Sequence, residues 1–267
     1  MSVNAGNWNQ LLANKVVFLT GASGSIARYI ARACYHHGAR IVMGDLDPTV
    51  INKVKQEIFC KEQNFDDDRI LIVKLDVTDE KSIEQAIQKT IEKWKTIDIL
   101  LNTAATYVLG NVEEVSAEDW SHVFDVNVRG YALVAKHIAP ILKKQRNGSI
   151  VNMASISGSM ASSNWIPYST TKSAILQLTR NLALDLGSFN IRVNSVSPSG
   201  VNTPRTFEIG ESRGIDRNIL EEAIKGKCLQ RTCQPEEIAN LFVFLASDLC
   251  PFMTGANLSI DGGSSIV

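Results

Sequence analysis

Short apolar runs alternate with amphipathic stretches along most of the chain. The apolar runs are of strand length and rich in β-branched residues, and they predict strands at 15–20, 40–45, 69–75, 97–101, 149–153, 191–196 and 257–260. Helical periodicity occupies the segments between them, at 25–37, from 47, from 78 to about 95, at 117–124, 128–145 and 168–186, and from 234. The stretch 197–232 is predicted to be rich in loops.

Strict alternation of strands and helices predicts a parallel sheet, because parallel strands need a crossover between them. The predicted strands are nearly all apolar, so both faces of the sheet must be covered. Right-handed crossovers then give an α/β fold, a doubly wound parallel sheet of about seven strands with helices on both faces (Rossmann-like). No linker or internal repeat interrupts the pattern, and residues 1–267 are predicted to form a single domain.

Composition excludes several classes of protein. The net charge of −1 provides no electrostatic footprint for nucleic acid, and no apolar run is long enough to predict a membrane span. Residues 1–15 are polar and lack the basic and apolar regions of a secretion signal. The five cysteines are odd in number and lack metal-ligand spacing, so we expect no disulfide framework, no metal site and a reducing, cytoplasmic setting.

The turn after the first predicted strand is the first candidate binding segment, because ligands of such sheets lie outside the carboxyl ends of the strands. It is rich in glycine and opens a helix, so backbone N–H groups and the helix dipole can meet a phosphate. The candidate cofactor contacts here are Gly21, Ser23, Gly24, Ser25 and Ile26. A tight turn without a ligand is the alternative interpretation.

Asp45 ends the second predicted strand, 21 residues after Gly24. A carboxylate in this place accepts hydrogen bonds from the ribose hydroxyls of NAD and repels the 2′-phosphate of NADP. The neighbouring Leu46 offers no cation for that phosphate, so NAD is preferred over NADP. Asp76, after the third strand, suits a turn or an adenine contact equally, and both interpretations stay open.

Four polar residues further along the chain are candidates for proton chemistry. Tyr168 and Lys172 are four residues apart, which places them on one face of a helix. A cation close to a phenol lowers the phenol pKa from about 10, so Tyr168 could carry protons near neutral pH. Ser155 lies thirteen residues before Tyr168. Asn127 lies between two helical patterns, where its poor helix propensity favours a specific hydrogen-bonding role.

These positions together resemble the short-chain dehydrogenase/reductase family, over nearly the whole chain from Lys15 to about Gly263. The other matching motifs are Asp98-Ile-Leu-Leu-Asn102, Arg192-Val-Asn-Ser-Val-Ser-Pro198, Thr203-Pro204, Pro235-Glu-Glu-Ile238, Thr254-Gly255 and Asp261-Gly262-Gly263. The motifs occur in the same order as in the family. Their number makes the resemblance specific, whereas any one of them alone would not.

The resemblance implies an NAD-dependent alcohol dehydrogenase or carbonyl reductase. In that family pattern Tyr168 exchanges a proton with the substrate oxygen and Ser155 hydrogen-bonds the same oxygen. Lys172 lowers the Tyr168 pKa and binds the nicotinamide ribose. Tyr168 also contacts the cofactor. Asn127 holds a water in a proton relay through Lys172. Further cofactor contacts are implied at Asp76, Val77, Asn102, Ala104, Pro198, Val201 and Thr203.

The phosphate turn departs from the family pattern. Ser25 and Ala27 replace its second and third glycines, and Gly24 stands one position early. The segment 102–105 reads Asn-Thr-Ala-Ala in place of Asn-Asn-Ala-Gly, and 198–199 reads Pro-Ser in place of Pro-Gly. A nucleotide-sensing or scaffold protein on the same fold is therefore the alternative to an enzyme. A methyltransferase would share the sheet but would give no reason for the serine, tyrosine and lysine to occur together.

The resemblance also places the substrate beneath a lid, here residues 202–227. Tyr107, Ser157 and Trp165 are candidates to line the substrate pocket together with Ser155 and Tyr168. This mixture of aromatic and polar groups favours a small polyol, sugar or hydroxy acid over a steroid. A homo-oligomer, either a tetramer or a dimer, is implied through the helices that follow the fourth and fifth strands.

Overall fold

The computed structural model describes residues 8–59 and 65–267, which include a seven-stranded sheet. The strands are β1 (Val16–Thr20), β2 (Arg40–Asp45), β3 (Ile70–Lys74), β4 (Ile99–Asn102), β5 (Gly148–Met153), β6 (Ile191–Pro198) and β7 (Asn257–Ile260). Their order across the sheet is β3-β2-β1-β4-β5-β6-β7, and every neighbouring pair is parallel. The predicted doubly wound fold is confirmed, whereas Cys60 and residues 1–7 of the polar N-terminus lie outside the described residues.

Nine helices connect and cover these strands within the described ranges. They are α1 (Ala27–His36), α2 (Pro48–Ile58), α3 (Glu80–Trp94), α4 (Ala117–Phe124), α5 (Gly130–Gln145), α6 (Ile166–Gly187), α7 (Pro204–Glu211), α8 (Arg217–Ala223) and α9 (Pro235–Ala246). A π-helical turn, Asp125–Arg129, joins α4 directly to α5. Across the described parts of the chain, we find no helix with the length and apolarity needed to cross a membrane.

Each face of the sheet has its own apolar core. Successive strand residues point to opposite faces, so Leu19 packs with α1, α2 and α9, whereas Phe18 packs with α3, α5 and α6. Both side chains are fully buried. Burial on both sides explains why the strands are mostly apolar, and it leaves the ends of the strands as the place for polar chemistry.

Two helices begin at residues other than those predicted, and both starts lie near the candidate site. Helix α1 begins at Ala27 rather than Ser25, which leaves Ser25 in the preceding turn. Helix α6 begins at Ile166, two residues before Tyr168, because Pro167 is accommodated in the first turn of a helix.

The predicted loop-rich stretch contains two helices, α7 and α8, which corrects that expectation. Thr203 caps α7 by accepting a hydrogen bond from the Thr206 amide at 3.2 Å, and Pro204 occupies the first helical position. The two helices pack closely because Gly210 has no side chain: a Cβ there would lie 2.3 Å from the Leu220 side chain. The predicted lid segment is therefore a helical hairpin.

Candidate active site

The sheet order reverses between β1 and β4, and the loops that leave these two strands are tied together. The Thr20 hydroxyl accepts hydrogen bonds from the amides of Thr103 (3.0 Å) and Ala104 (3.2 Å). Gly21 adopts a φ of 67°, and a Cβ on it would lie 2.6 Å from the Ala104 Cα. Only glycine allows this close approach, which forms the crevice where doubly wound sheets bind their ligands.

The turn before α1 presents main-chain donors at the rim of this crevice. Within the described part of the chain, no acceptor lies in hydrogen-bonding range of the Ser25 and Ile26 amides, which precede the first helical residue. Unpaired amides at a helix N-terminus are the groups that bind phosphates. The altered turn therefore keeps main-chain donors of the kind that bind phosphates, because these donors belong to the backbone and not to the replaced glycines.

Asp45 lies at the end of β2, beside the same turn. One carboxylate oxygen accepts hydrogen bonds from the Ser23 amide (2.9 Å) and hydroxyl (2.6 Å), and the other accepts from the Leu46 amide at 2.7 Å. A carboxylate has about four lone-pair sites, so this one retains room for ribose hydroxyls. Leu46 is exposed beside it. The structure thus joins Asp45 to the predicted phosphate turn through Ser23.

Asp76 makes a local turn after β3. Its carboxylate accepts hydrogen bonds from the Thr78 amide (2.9 Å) and hydroxyl (2.7 Å), and its own amide donates to the Ser82 hydroxyl at 2.9 Å. Val77 is buried against Gly130, where a Cβ would lie 2.7 Å from the valine side chain. Asp76 therefore stabilises a turn, as one of the two interpretations expected. This does not exclude an adenine contact.

Two residues of the neighbouring strands carry buried amide groups. The Asn102 Nδ2 atom donates to Asn152 Oδ1 at 3.0 Å, while Asn102 Oδ1 is buried without a partner among the described residues. Asn152 in turn donates to the Thr179 hydroxyl at 2.9 Å. A buried oxygen without a hydrogen-bond partner lowers the stability of the folded protein. Asn102 therefore offers an available hydrogen-bond acceptor at the end of β4.

Ser155 lies two residues after the end of β5 and caps a short 3-10 turn, Ile156–Gly158. Its hydroxyl accepts a hydrogen bond from the Ser157 amide at 3.2 Å. Gly158 lets this turn lie against α6, because a Cβ there would be 2.8 Å from the Lys172 carbonyl carbon. The turn therefore places Ser155 beside the helix that carries Tyr168 and Lys172, and these are three of the four predicted catalytic residues.

Lys172 is buried, with 1% of its surface exposed. Its Nζ atom donates to the Met153 carbonyl at 2.9 Å and lies 5.5 Å from the centroid of the Tyr168 ring. Burial lowers the pKa of Lys172 to about 7, because the charged ammonium loses its hydration. The lysine is therefore poised to change charge near neutral pH.

Tyr168 is also buried, and its surroundings are aromatic. Burial raises the pKa of its hydroxyl well above 10, and the neighbouring Tyr107 adds to this, while the neighbouring Ser155 hydroxyl opposes it. The Tyr107 ring stacks on it at 4.9 Å between centroids, and the Trp165 ring meets it edge-on at 5.4 Å. This direction is opposite to the expected lowering by Lys172, because burial disfavours both charged forms.

Asn127 lies in the π turn between α4 and α5, not in a gap between two separate helices. Its side chain accepts from the Thr106 amide at 2.8 Å and donates to the Thr106 carbonyl at 2.9 Å and the Thr171 hydroxyl at 3.2 Å. Both side-chain donors are therefore used by the protein. A relay water could bond only to the remaining lone pair of Oδ1 or to the main chain.

The loop after β6 completes the edge of the site. Pro198 is the last residue of β6, Val201 forms a bridge with Cys233, and Thr203 is buried at the start of α7. Among the described residues, no group of three or more His, Cys, Asp or Glu is arranged to hold a metal ion.

One residue in this region, Tyr131, was missed by the sequence analysis. It is buried beside Lys172, and its hydroxyl donates to the same Met153 carbonyl at 3.3 Å. Its spacing, four residues after Asn127, was a signal for it. Arg205, on α7 within the predicted lid, places its guanidinium carbon 5.7 Å from the centroid of the Tyr107 ring.

Comparison with known proteins agrees with this geometry. A family model described as enoyl-(acyl carrier protein) reductase matches residues 21–265. The chain is 35% identical to the trans-4-hydroxycyclohexanecarboxylate dehydrogenase of Sinomonas cyclohexanicum, over 95% of this chain and 94% of that protein. It is 35% identical to the meso-2,3-butanediol dehydrogenase of Serratia marcescens, over 94% of this chain and 95% of that protein.

A solved structure, that of levodione reductase, superposes with a TM-score of 0.88 at 27% identity, covering 96% of this chain and 99% of that chain. The chain belongs to the short-chain dehydrogenase/reductase family. Membership makes it an oxidoreductase that uses a nicotinamide cofactor.

Proposed function

We propose that this protein transfers a hydride between NAD(H) and a secondary alcohol or carbonyl group of a small substrate. The observation that carries the proposal is the buried cluster of Ser155, Tyr168 and Lys172 at the carboxyl edge of the sheet. A serine hydroxyl and a phenol at the same place in the fold can hold one substrate oxygen, and Lys172, whose pKa is about 7, lies beside the phenol ring.

Each residue has a separate task in this scheme. Tyr168 donates its proton to the carbonyl oxygen during reduction, and during oxidation it takes the proton of the substrate hydroxyl after releasing its own. Ser155 orients that oxygen, and Lys172 exchanges protons with its surroundings because its pKa lies near 7. When bound, the nicotinamide supplies the hydride chemistry, and the protein supplies orientation and proton handling. Asn127 fixes Thr171 and Thr106 around the catalytic helix.

The cofactor would be held along the edge that runs from the phosphate turn to Thr203. The free amides of Ser25 and Ile26 suit the pyrophosphate, and Asp45 suits the ribose hydroxyls. The preference for NAD over NADP is supported by the carboxylate of Asp45, which would repel a 2′-phosphate. Titration of the protein with each cofactor tests it: tighter binding of NADP would contradict the preference.

The substrate class is proposed from the pocket wall and from the relatives. Tyr107 and Trp165 enclose Tyr168 with aromatic rings, whereas Ser155 and Ser157 add hydroxyls. A small polyol, sugar or hydroxy acid fits such a wall. Two similar proteins carry names of dehydrogenases that act on a hydroxycyclohexane carboxylate and on a butanediol. We also propose a cytoplasmic homo-oligomer, a dimer or tetramer, with α7 and α8 as the lid.

The Tyr168→Phe variant tests the reaction. It should abolish hydride transfer to or from NAD across a panel of small alcohols and ketones, while the affinity for NAD stays near that of the wild type. Full activity in this variant would exclude the proposed role of Tyr168. The sensor alternative makes the opposite prediction for the wild-type protein, which would then bind NAD and turn over none of the panel.

A further inference from the structure

One main-chain carbonyl accepts hydrogen bonds from two buried side chains beside Tyr168. The Met153 oxygen lies 2.9 Å from the Lys172 Nζ atom and 3.3 Å from the Tyr131 hydroxyl. Resting on the proposed function, we propose that Tyr131 is a positioning residue whose hydroxyl competes with Lys172 for this carbonyl and so keeps the Nζ atom available to Tyr168. Tyr131 thus acts on the reaction through the lysine.

The Met153 carbonyl is open to side chains because of its place in the sheet. Met153 is the last residue of β5, and β4 pairs with this strand only as far as Asn152. A carbonyl oxygen has two lone pairs, which accommodate the two donors. Each donor draws on the negative charge of the same oxygen, so each bond is weaker than it would be alone. The Tyr131 hydroxyl therefore limits how strongly the carbonyl holds the Nζ atom of Lys172.

Packing fixes the Tyr131 hydroxyl at this place. The Tyr131 side chain is 1% exposed and forms an apolar cluster with Ala154, Ile175 and Leu176. Ile175 and Leu176 lie on α6, within about one helical turn of Lys172. A side chain enclosed in this way keeps one rotamer, so its hydroxyl stays near the shared carbonyl.

Lys172 keeps part of its bonding capacity for the reaction. Its ammonium group has three donors, and within the described part of the chain it forms one hydrogen bond, to Met153. The Nζ atom also lies 5.5 Å from the centroid of the Tyr168 ring and 5.9 Å from that of the Tyr131 ring, within the range of a cation–π contact. The lysine is therefore held between two rings, and a stronger bond to the carbonyl would tie it to β5.

The titratable groups that face Lys172 carry no charge near neutral pH. They are Tyr168 on the same helix, Tyr131 on α5, and Tyr107 in the loop after β4, which stacks on Tyr168. Burial raises the pKa of all three hydroxyls above 10. The hydrogen bond to the carbonyl opposes the burial that lowers the pKa of Lys172 to about 7. Without the Tyr131 hydroxyl this bond strengthens, and the pKa of Lys172 rises.

The Tyr131→Phe variant keeps the packed ring and removes the hydroxyl. The kcat for oxidation of the most active alcohol of the panel should fall about two- to tenfold, the range that one hydrogen bond is worth, while the KM of the alcohol stays at the wild-type value. The limb of the kcat/KM profile that Lys172 governs should move to higher pH by up to about one unit. An unchanged limb would overturn the proposal, because a merely structural role of Tyr131 would not move it.

Tyr35→Phe is the matched control. Tyr35 is a buried tyrosine in the core on the other face of the sheet, and its hydroxyl accepts a hydrogen bond from the Asp66 amide at 2.7 Å. The variant therefore also removes one hydrogen-bonded hydroxyl from the interior, but on the side of the sheet away from Lys172. It should lower thermal stability by a similar amount and leave kcat and the pH profile unchanged. The same shift of the limb in both variants would contradict a specific role of Tyr131.

A measurement on folding separates this proposal from the proposed function. The pKa of Lys172 is lower in the folded protein than in the unfolded chain, so between the two values the unfolded chain binds more protons and stability rises with pH. The free energy of unfolding relative to a Lys172→Met partner should level off below about pH 7 in the wild type, and at a higher pH in the Tyr131→Phe background. Levelling-off at the same pH in both backgrounds rejects the shared carbonyl, whereas absence of turnover in the wild-type protein rejects the function alone.

Discussion

Lys172 and Tyr168, at the proposed proton-transfer end of the site, are enclosed by the protein, whereas Gly24 and Ser25, at the proposed phosphate end, lie at the surface or half-buried in a turn. In the proposed scheme the enclosed end works through side chains, and burial sets the direction of their pKa shifts. The turn would work through backbone amides, which every residue type except proline provides. The difference explains why the family pattern is intact at one end and altered at the other.

The largest effect is expected from a change at the enclosed end. Lys172→Met keeps the bulk of the side chain and removes its charge, so hydride transfer should fall by about a hundred- to ten-thousand-fold. Single-turnover kinetics with NADH and a ketone would measure this. Lys172→Arg is the matched control: the lysine is 1% exposed, so the larger guanidinium does not fit and should not rescue the rate. Near-wild-type activity in the Lys172→Met variant would show that the enclosed end of the site does not depend on this side chain.

In the turn between β1 and α1, substitutions should lower stability only where the backbone is strained or crowded. Gly21→Ala places a side chain at a φ of 67° and a Cβ 2.6 Å from the Ala104 backbone. We expect a loss of about 2–4 kcal/mol in the free energy of unfolding, measured by urea denaturation. Gly187→Ala is the matched control, because nothing lies within 4 Å of its Cβ position. A stable Gly21→Ala variant would show that the crevice tolerates widening.

Burial of Lys172 also predicts a pH dependence of stability. Its pKa is about 7 in the folded protein and about 10.4 in the unfolded chain, so between these values the unfolded state binds more protons. The free energy of unfolding of the wild type, relative to Lys172→Met, should therefore rise from pH 7 to pH 9 by about 1 kcal/mol per unit. Below about pH 7 the difference should level off. A flat difference across this range would show that the lysine is hydrated.

The smallest effect is expected where the sequence departs most from its family. Ser25→Gly restores the family residue in the turn without changing the amides, so the Kd for NAD should change by less than about threefold. Isothermal titration calorimetry on the two proteins would measure it. A tenfold change would show that the Ser25 side chain itself contacts the cofactor or blocks it.

The sheet and the residues at its edge were predictable from the sequence. Buried strands appear as short apolar runs, and the regular alternation of these runs with helical patterns indicates a parallel sheet. The start of α7 was predictable too, because Thr203 is a good helix cap and Pro204 a good first helical residue, although the sequence analysis predicted a loop there. Two features were not predictable. The π turn around Asn127 has no sequence signature, since its widened hydrogen bonding depends on packing against Thr106 and Thr171. The raised pKa of Tyr168 depends on tertiary burial, which spacing alone does not report.

The π turn between α4 and α5 gives its segment some tolerance in length. A π turn closes its hydrogen bonds over one residue more than an α-helix does, so it absorbs one extra residue while both flanking helices keep their faces. Deleting one residue from Asp125–Arg129 would let the turn close into a regular α-helix, and the core face of α5, which carries Tyr131 and Val134, would keep its place. One residue removed from the regular part of α5 would instead turn the two sides of the deletion against each other by about 100°.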